Sequence, residues 1–509
     1  MSRSLLPLTY IVHGCAYLLK TLFQMELPEM SKAANLIFFL TDNHARSMLG
    51  CYGHPTVKTP NLDKIAEMGV RFDNAYCASP LCCPSRAAMA SGLYPHQSGY
   101  WDNYFAYDGV QTSWHGQLRD EGRAAVAVGK LHYLSSEIAQ GFSDEVVTMH
   151  IHKATGDLVG LLRGTDEGVP ERISFRNMYG ESGVGEAPYQ KYDLDVTKCA
   201  IEWLNNEAPK IKEPWVLLVS YASPHPPFTV PERFFDMYPL DKVPMPVQWD
   251  ERSRPDHPAL NHIRRVDCLS EPVDENFVRR TVAGYCGLVS HIDEQIGEVI
   301  RAAREGGILE TTRLLYTSDH GEAAGNHGMF GKSTLYEHSL GIPLMMCGPD
   351  IRKGTVVNEI VSNVDLFDTI IESVGSSVRG SNNDRMGASL WPLIDGVPNP
   401  RLGFAEVHVK STKDAAYMLR EDNIKLIYHV NSPSQMFDLK ADPFETNDLV
   451  NDPAYSDTLG RLERELRKII DPEEVDTRAK TAQLIHAERN GGVDAIRIQQ
   501  NITMTPPPA

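Results

Sequence analysis

The chain has 509 residues, more than one simple core accommodates, and a composition typical of globular proteins, which points to one large α/β domain with a smaller one beside it. Its formal net charge of −18 argues against nucleic acid or an anionic membrane as the partner, so a site for an anionic substrate has to assemble its own positive pocket. Nine cysteines, irregularly spaced and without a C-x-x-C pair, do not read as a disulfide framework and favour a reducing compartment.

In chain order, residues 4–23 (SLLPLTYIVHGCAYLLKTLF) are mostly apolar and follow Arg3. His13 and Lys20 interrupt the run, and no A-x-A cleavage site follows it. Residues 1–29 therefore read as an extension outside the fold. The expected location is the cytoplasm, with the periplasm or secretion as the alternative if this segment is a signal. "NLIFFLTDN" (Asn35–Asn43) reads as a strand buried on both faces that ends in an acid. A helix follows from Thr59-Pro60, with Leu62, Ile65 and Met68 as its apolar stripe and Gly69 as its stop. "RAAVAVGK" (Arg123–Lys130) and "WVLLVSYASPHPP" (Trp215–Pro227) are two more apolar strands with polar ends. A long helix is predicted from about Asn276 to Arg304, with Leu288, Ile292, Ile296, Val299 and Ala303 on one face. "TRLLYTSDHGE" (Thr312–Glu322) repeats the pattern of a buried strand ending in an acid, and "NVDLFDTIIESVG" (Asn363–Gly375) is an amphipathic helix. Strands alternating with helices predict an α/β fold, a large doubly wound mixed sheet flanked by helices over residues 30–400. Residues 401–509 read as a smaller C-terminal α+β domain. Antiparallel strands are expected over 417–430 and 434–450, a helix over 455–470 and then an extended tail, which could reach a neighbouring subunit.

Ligands of such sheets bind beyond the carboxyl ends of the strands, which would bring Asp42, Lys130, His225 and Asp319 to one rim. Asp42-Asn43 and Asp319-His320 each follow a buried strand. Either pair alone is equally well explained as a helix or turn cap; together they favour a divalent cation held by carboxylates, an amide oxygen and an imidazole. The imidazole widens the choice from calcium towards manganese. Lys130 and His132 in "VGKLHY", His225 in "SPHPPF" and Lys332 in "GMFGKSTLYE" could together neutralise a tetrahedral anion and protonate a leaving oxygen. Aromatic residues cluster in "GYWDNYFAY" (Gly99–Tyr107). They either line the pocket, to stack on an aryl group or box a quaternary ammonium, or are ordinary packing.

The stretch "CCPSRAAMASG" (Cys82–Gly92) resembles the formylglycine motif of the type I sulfatases, C-x-P-S-R-x-x-x-x-T/S-G, a family within the alkaline phosphatase superfamily. "LTDNHARSMLGCYGHPTVKTPNLDKIAEMGVRFDNAY", "VGKLHY" and "YTSDHGEAAGNHGMFGKSTLYEHSLGIPLMM" resemble that family's first metal segment, its Gly-Lys-x-His segment, and its second metal segment with the catalytic lysine. "MFDLKADPFETNDLVNDP" resembles its C-terminal domain, so similarity runs over about residues 35–453. The pair Asp319-His320 is similar to the choline-sulfatase-like and phosphonate monoester hydrolase branches, where calcium sulfatases usually carry Asp-Asn.

The resemblance implies hydrolysis of a small organic sulfate ester, with a phosphonate monoester or phosphodiester as the alternative. It implies that a formylglycine-generating enzyme or maturase converts Cys82 to formylglycine (3-oxoalanine), whose hydrate attacks sulfur through one hydroxyl and expels sulfate through the other. Asp42, Asn43, Cys82, Asp319 and His320 would hold one divalent cation, Ca²⁺ or alternatively Mn²⁺. Arg86 would hold the diol, and Lys130 and His132 would serve diol and sulfate. His225 and Lys332 would meet the leaving oxygen and the sulfate, with His327 at the rim. A homo-oligomer and no nucleic-acid partner complete the expectation.

Overall fold

The computed structural model describes residues 33–138, 141–377, 385–498 and 505–508, so the extension read over residues 1–29 lies outside the described residues. Eight strands form the main sheet: β1 (Asn35–Thr41), β2 (Gly69–Tyr76), β3 (Ala125–Lys130), β4 (Asp144–Met149), β6 (Val216–Ser220), β8 (Thr312–Ser318), β9 (Leu344–Cys347) and β10 (Thr355–Ser362). Two short strands, β5 (Gly183–Val184) and β7 (Thr229–Val230), pair separately. The order across the main sheet is β10-β2-β9-β8-β1-β6-β3-β4. Only β9 runs against its neighbours, which makes the sheet mixed. The four strands legible as apolar runs are its central neighbours β8-β1-β6-β3, the ones covered on both faces.

β1 shows why. Leu36, Phe38 and Leu40 face one way, into a core completed by Leu366, Phe367 and Ile370 of helix Leu366–Ser373. Ile37 and Phe39 face the other way, against Trp203 of helix Pro188–Asn206 and Ile292, Ile296 and Val299 of helix Glu275–Glu305. With side chains alternating across the pleat, the run Leu36–Leu40 is apolar throughout, and each large side chain buried contributes about 1.5–3 kcal/mol. The long helix spans Glu275–Glu305, and the Asp274 carboxylate caps it by accepting from Phe277 N at 2.7 Å.

A second sheet, β11 (Gly403–Val407), β12 (Ala416–Glu421), β13 (Ile424–His429) and β14 (Gln435–Asp438), is antiparallel in sequence order. Tyr417, Leu419 and Leu426 pack under Leu462 and Leu466 of helix Ser456–Ile469. The stretch after Asp471 is helical over Pro472–Arg489 and folds back on the larger unit. Asp476 pairs with Arg163, and Gln483 Nε2 donates to Asp102 Oδ2 at 2.6 Å. The seam between the two sheets is charged. Buried Lys425 lies 2.8 Å from Glu337 and 2.7 Å from Glu445, and Arg46 meets Glu337 from the other side at 2.5 Å.

Candidate active site

Registered pairing of β1 with β8 sets Thr41 opposite Ser318, so the residues that follow, Asp42 and Asp319, emerge side by side at the carboxyl end of the sheet. The Asp319 amide donates to the Thr41 carbonyl at 3.1 Å and fixes that adjacency. The third element is helix Cys82–Ser91, which is wholly buried; Ala87, Ala88, Ala90 and Ser91 let it sit tight, and Gly92 closes it at φ 71°. Cys82, its first residue, carries Sγ 3.3 Å from His320 Nε2 and 3.7 Å from Asp42 Oδ1. Asp42, Cys82, Asp319 and His320 thus offer four ligand atoms within 4.8 Å of one another, all buried.

The donor chemistry fits a divalent cation. His320 Nδ1 lies 3.0 Å from the Gly321 carbonyl, which only accepts, so Nδ1 carries the proton and the Nε2 lone pair faces the cluster. Burial and the neighbouring Asp42 charge push the Asp319 carboxyl up to about 6. Burial also opposes ionisation of Asp42, but Lys130, His225, Lys332 and Arg86 outweigh it and hold that carboxyl well below the usual range. Two buried carboxylates that resist each other's charge are the environment a cation relieves.

Arg86 ties the carboxylates to the sheet. Its Nε donates to Asp319 Oδ2 at 2.8 Å and Nη2 to Asp42 Oδ2 at 3.4 Å, while Nη1 donates to the Lys130 carbonyl at 2.6 Å and Ser220 Oγ at 3.1 Å. Lys130 reaches Asp42 Oδ2 at 2.7 Å, with its ammonium over the Tyr189 ring. A bulge in β3 aims it there. Gly129, at φ 104°, lies so close to the Ser220 carbonyl that a Cβ would stand 2.0 Å from that oxygen. Lys332 donates to Asn43 Oδ1 at 2.7 Å, and the Asn43 amide donates to Glu322 Oε2 at 2.7 Å. His225 Nδ1 is 2.7 Å from the Pro226 carbonyl, which leaves its Nε2 lone pair free; burial and Lys332 hold its pKa well below the usual value. His132 is likewise lowered, by burial and by Lys130. Its Nε2 meets Thr505 Oγ1 at 2.8 Å, and its Nδ1 is buried without a hydrogen-bond partner among the described residues.

Cys82, Lys130, His132, His225 and Lys332 line one cavity. The aromatic stretch does not, and only Asn103 of it reaches the wall. Trp101 packs on His408 and Phe105 on His486, because the chain after β11 and helix Pro472–Arg489 cover that surface, while Tyr107 packs on Tyr133 in the core of the larger unit. His327 is displaced too. It stacks on Tyr336 at 4.4 Å and bonds Gln248, outside the cavity of Cys82. Cys83 is a buried neighbour, with its amide on Asn103 Oδ1 at 3.0 Å and its sulfur near the His132 carbonyl.

Three contributors were missed from the sequence. Glu322 braces Asn43 while accepting from Tyr179, Ala324 N and Gly331 N. Its place at the end of the "SDHGE" run was the available signal. Tyr189 and Thr505, joined by a 2.7 Å bond from the tyrosine hydroxyl to the Thr505 carbonyl, carry no local signal.

Comparison with known proteins gives the family. The family model described as Sulfatase matches residues 34–376, and one described as N-sulphoglucosamine sulphohydrolase, C-terminal, matches residues 325–472. Arylsulfatase K of Gallus gallus is 32% identical over 473 residues, 87% of this chain and 83% of that protein. Choline-sulfatase of Rhizobium meliloti (strain 1021) is 30% identical over 407 residues, 77% of this chain and 78% of that one. Among solved structures, the phosphonate monoester hydrolase of Agrobacterium radiobacter shares the fold, with a TM-score of 0.68 at 23% identity over 85% of this chain and 95% of that one. With the strand-end acids, the Cys82 helix and the basic residues gathered at one rim, the chain belongs to the type I sulfatase family of the alkaline phosphatase superfamily and is a sulfuric ester hydrolase.

Proposed function

We propose that the chain cleaves a small organic sulfate ester to alcohol and sulfate, using a formylglycine made from Cys82 and one divalent cation, Ca²⁺ or alternatively Mn²⁺. The observation that carries this reading is the position of Cys82 Sγ, within 4.8 Å of Asp42, Asp319 and His320 ligand atoms and at the floor of a basic cavity. A cation held by Asp42, Asp319 and His320, with Asn43 beside them, would polarise a sulfate oxygen. The hydrated aldehyde supplies two hydroxyls, one to attack sulfur and one to release sulfate.

The chain's own groups do the rest. Lys130, on Asp42, and Lys332, on Asn43, set positive charge where the sulfate oxygens come to lie. Arg86 keeps both carboxylates oriented and holds the Cys82 helix to the strand ends. The orphaned His132 Nδ1 would bond a hydroxyl at residue 82. His225 is neutral in the free protein, with Nε2 unprotonated. An anion bound beside it favours the imidazolium, which then delivers its proton to the leaving oxygen.

Cys82 is 1% exposed, so the maturase that modifies it would act before this fold closes. Mass spectrometry of the peptide spanning Cys82, from protein made in its native host, tests the reading together with sulfate release from a panel of esters. The thiol-to-aldehyde loss of about 18 Da and sulfate release are expected. An unmodified Cys82 in active protein would overturn it. His320 in the ligand cluster favours one second reading, a phosphonate monoester or phosphodiester hydrolase on the same scaffold. A higher kcat/KM on a phosphonate ester than on the matched sulfate ester would put that reading first.

A further inference from the structure

The cavity of Cys82 has a second basic end. Arg172, just ahead of helix Ile173–Gly180, and Lys410, just past β11, line the same cavity as Cys82. They come from different parts of the chain, so this wall exists only where the two sheets meet. Lys410 is paired with Asp157. Arg172 is different. Its side chain is only 12% exposed, yet among the described residues its guanidinium makes no side-chain hydrogen bond. Its nearest acid oxygen, Asp267 Oδ1, stands at 3.5 Å and already accepts from Ser411 Oγ at 3.1 Å. Phe175 flanks the guanidinium, 5.5 Å from ring centroid to Cζ. Asp267 does not line the cavity, whereas Arg172, Lys410 and Asp157 do.

We propose that Arg172, with Lys410 beside it, binds a second oxyanion on the substrate, a carboxylate or a second sulfate carried by the alcohol portion of the ester. This rests on the sulfatase reading and narrows it to sulfate esters with two anionic groups. A planar guanidinium with unused N–H groups, backed by an aromatic ring and nearly withdrawn from water, suits two-point contact with a carboxylate. The neighbouring charges agree. Burial and the nearby Arg172 disfavour the Lys410 ammonium more than Asp157 and Asp267 favour it, and an added anion relieves the remainder. Asp157 and Asp267 fix the two cations in place without occupying the N–H groups that Arg172 leaves free.

The test uses sulfooxy-carboxylates of increasing span, from sulfooxyacetate to 4-sulfooxybenzoate, each matched with its amide and with the corresponding disulfate. Turnover is measured on the matured, metal-loaded protein and binding on its Cys82→Ala form. At one span the carboxylate or the disulfate should exceed the amide by about ten- to a hundred-fold in kcat/KM and in affinity, and which of the two does so identifies the oxyanion. In Arg172→Gln that ratio should fall to about one, and Arg172→Lys should keep part of it. A merely structural role would lower both members of each pair together and leave the ratio intact, which overturns the proposal, as does a parent with no preference at any span. If no sulfate ester is turned over, the sulfatase reading fails, and the binding ratio of the Cys82→Ala protein still decides the subsite.

Discussion

The two ends of the cavity are built differently. The inner end rests on strand termini and one buried helix. Asp42, Lys130 and Asp319 leave the sheet at β1, β3 and β8, and Arg86 ties all three segments together. The outer end is assembled from what lies between and beyond the strands: Arg172 before a short helix, Lys410 after β11, and Thr505 on His132 and Tyr189. The rigid sheet fixes the reaction, and the segments laid over it choose the substrate.

Substitutions sharpen that contrast, from the largest effect with its control to the smallest. At the inner end, Cys82→Ala should lower kcat/KM for sulfate esters by about 10⁴-fold or more, because no other group supplies the covalent step. Cys83→Ala, one residue on, should stay within a few-fold of the parent in the same assay, since its side chain packs against Ala106 and Ile151 and makes only weak thiol contacts with the Asn103 and His132 carbonyls. Lys332→Ala should cost about 10²- to 10³-fold, read mainly in kcat. Arg86→Ala should leave two buried acids without their shared cation and destabilise the fold by roughly 3–5 kcal/mol in denaturant titration. At the outer end, Thr505→Val should shift KM by only a few-fold. An effect there as large as that of Lys332→Ala would erase the distinction between the two ends.

The seam that joins the sheets carries the smallest effect, a pH dependence. Burial pushes the Glu445 carboxyl up to about 7, with Glu337 beside it adding to the rise, although Lys425 opposes it. A carboxyl raised in the folded state binds a proton there that the unfolded chain releases. Its contribution is therefore lost as pH rises from about 4.5 to about 7. Glu337, held low against burial by Lys425 and Arg46, stays ionised in the folded state through this window; only the unfolded chain titrates it, near pH 4.5, which adds a slope of the opposite sign at the acid edge. Glu445→Gln should therefore flatten the fall in stability between pH 4.5 and 7, seen as a smaller drop in Tm across that range than in the parent.

The inner end was legible because its chemistry is tied to regular structure. An apolar run ending in Asp marks a buried strand and its carboxyl end at once, as at Asp42 and Asp319, and the Cys82–Gly92 stretch carries its spacing within one helix. His327 was misplaced, and the aromatic residues of Gly99–Tyr107 were left undecided, for the complementary reason. They are functional residue types near motifs, and the segments that bury them, β14 with its neighbours and helix Pro472–Arg489, arrive from far along the chain. Arg172, Tyr189 and Thr505 were invisible on the same ground. Nothing in their own sequence surroundings says that they line the cavity of Cys82, and only tertiary packing between segments distant in the chain brings them there.

The adjacency of Asp42 and Asp319 also bears on how the protein folds. One acid follows the first strand of the sheet and the other a strand that comes far later in the chain, so no N-terminal fragment that stops short of β8 can gather both. A cation that needs both, and Cys82 between them, binds the finished topology and little before it. Its free energy then falls almost wholly on the native side of the folding barrier. Metal loading would slow unfolding while leaving the rate of folding nearly unchanged, so the ion would act as a latch on the completed fold.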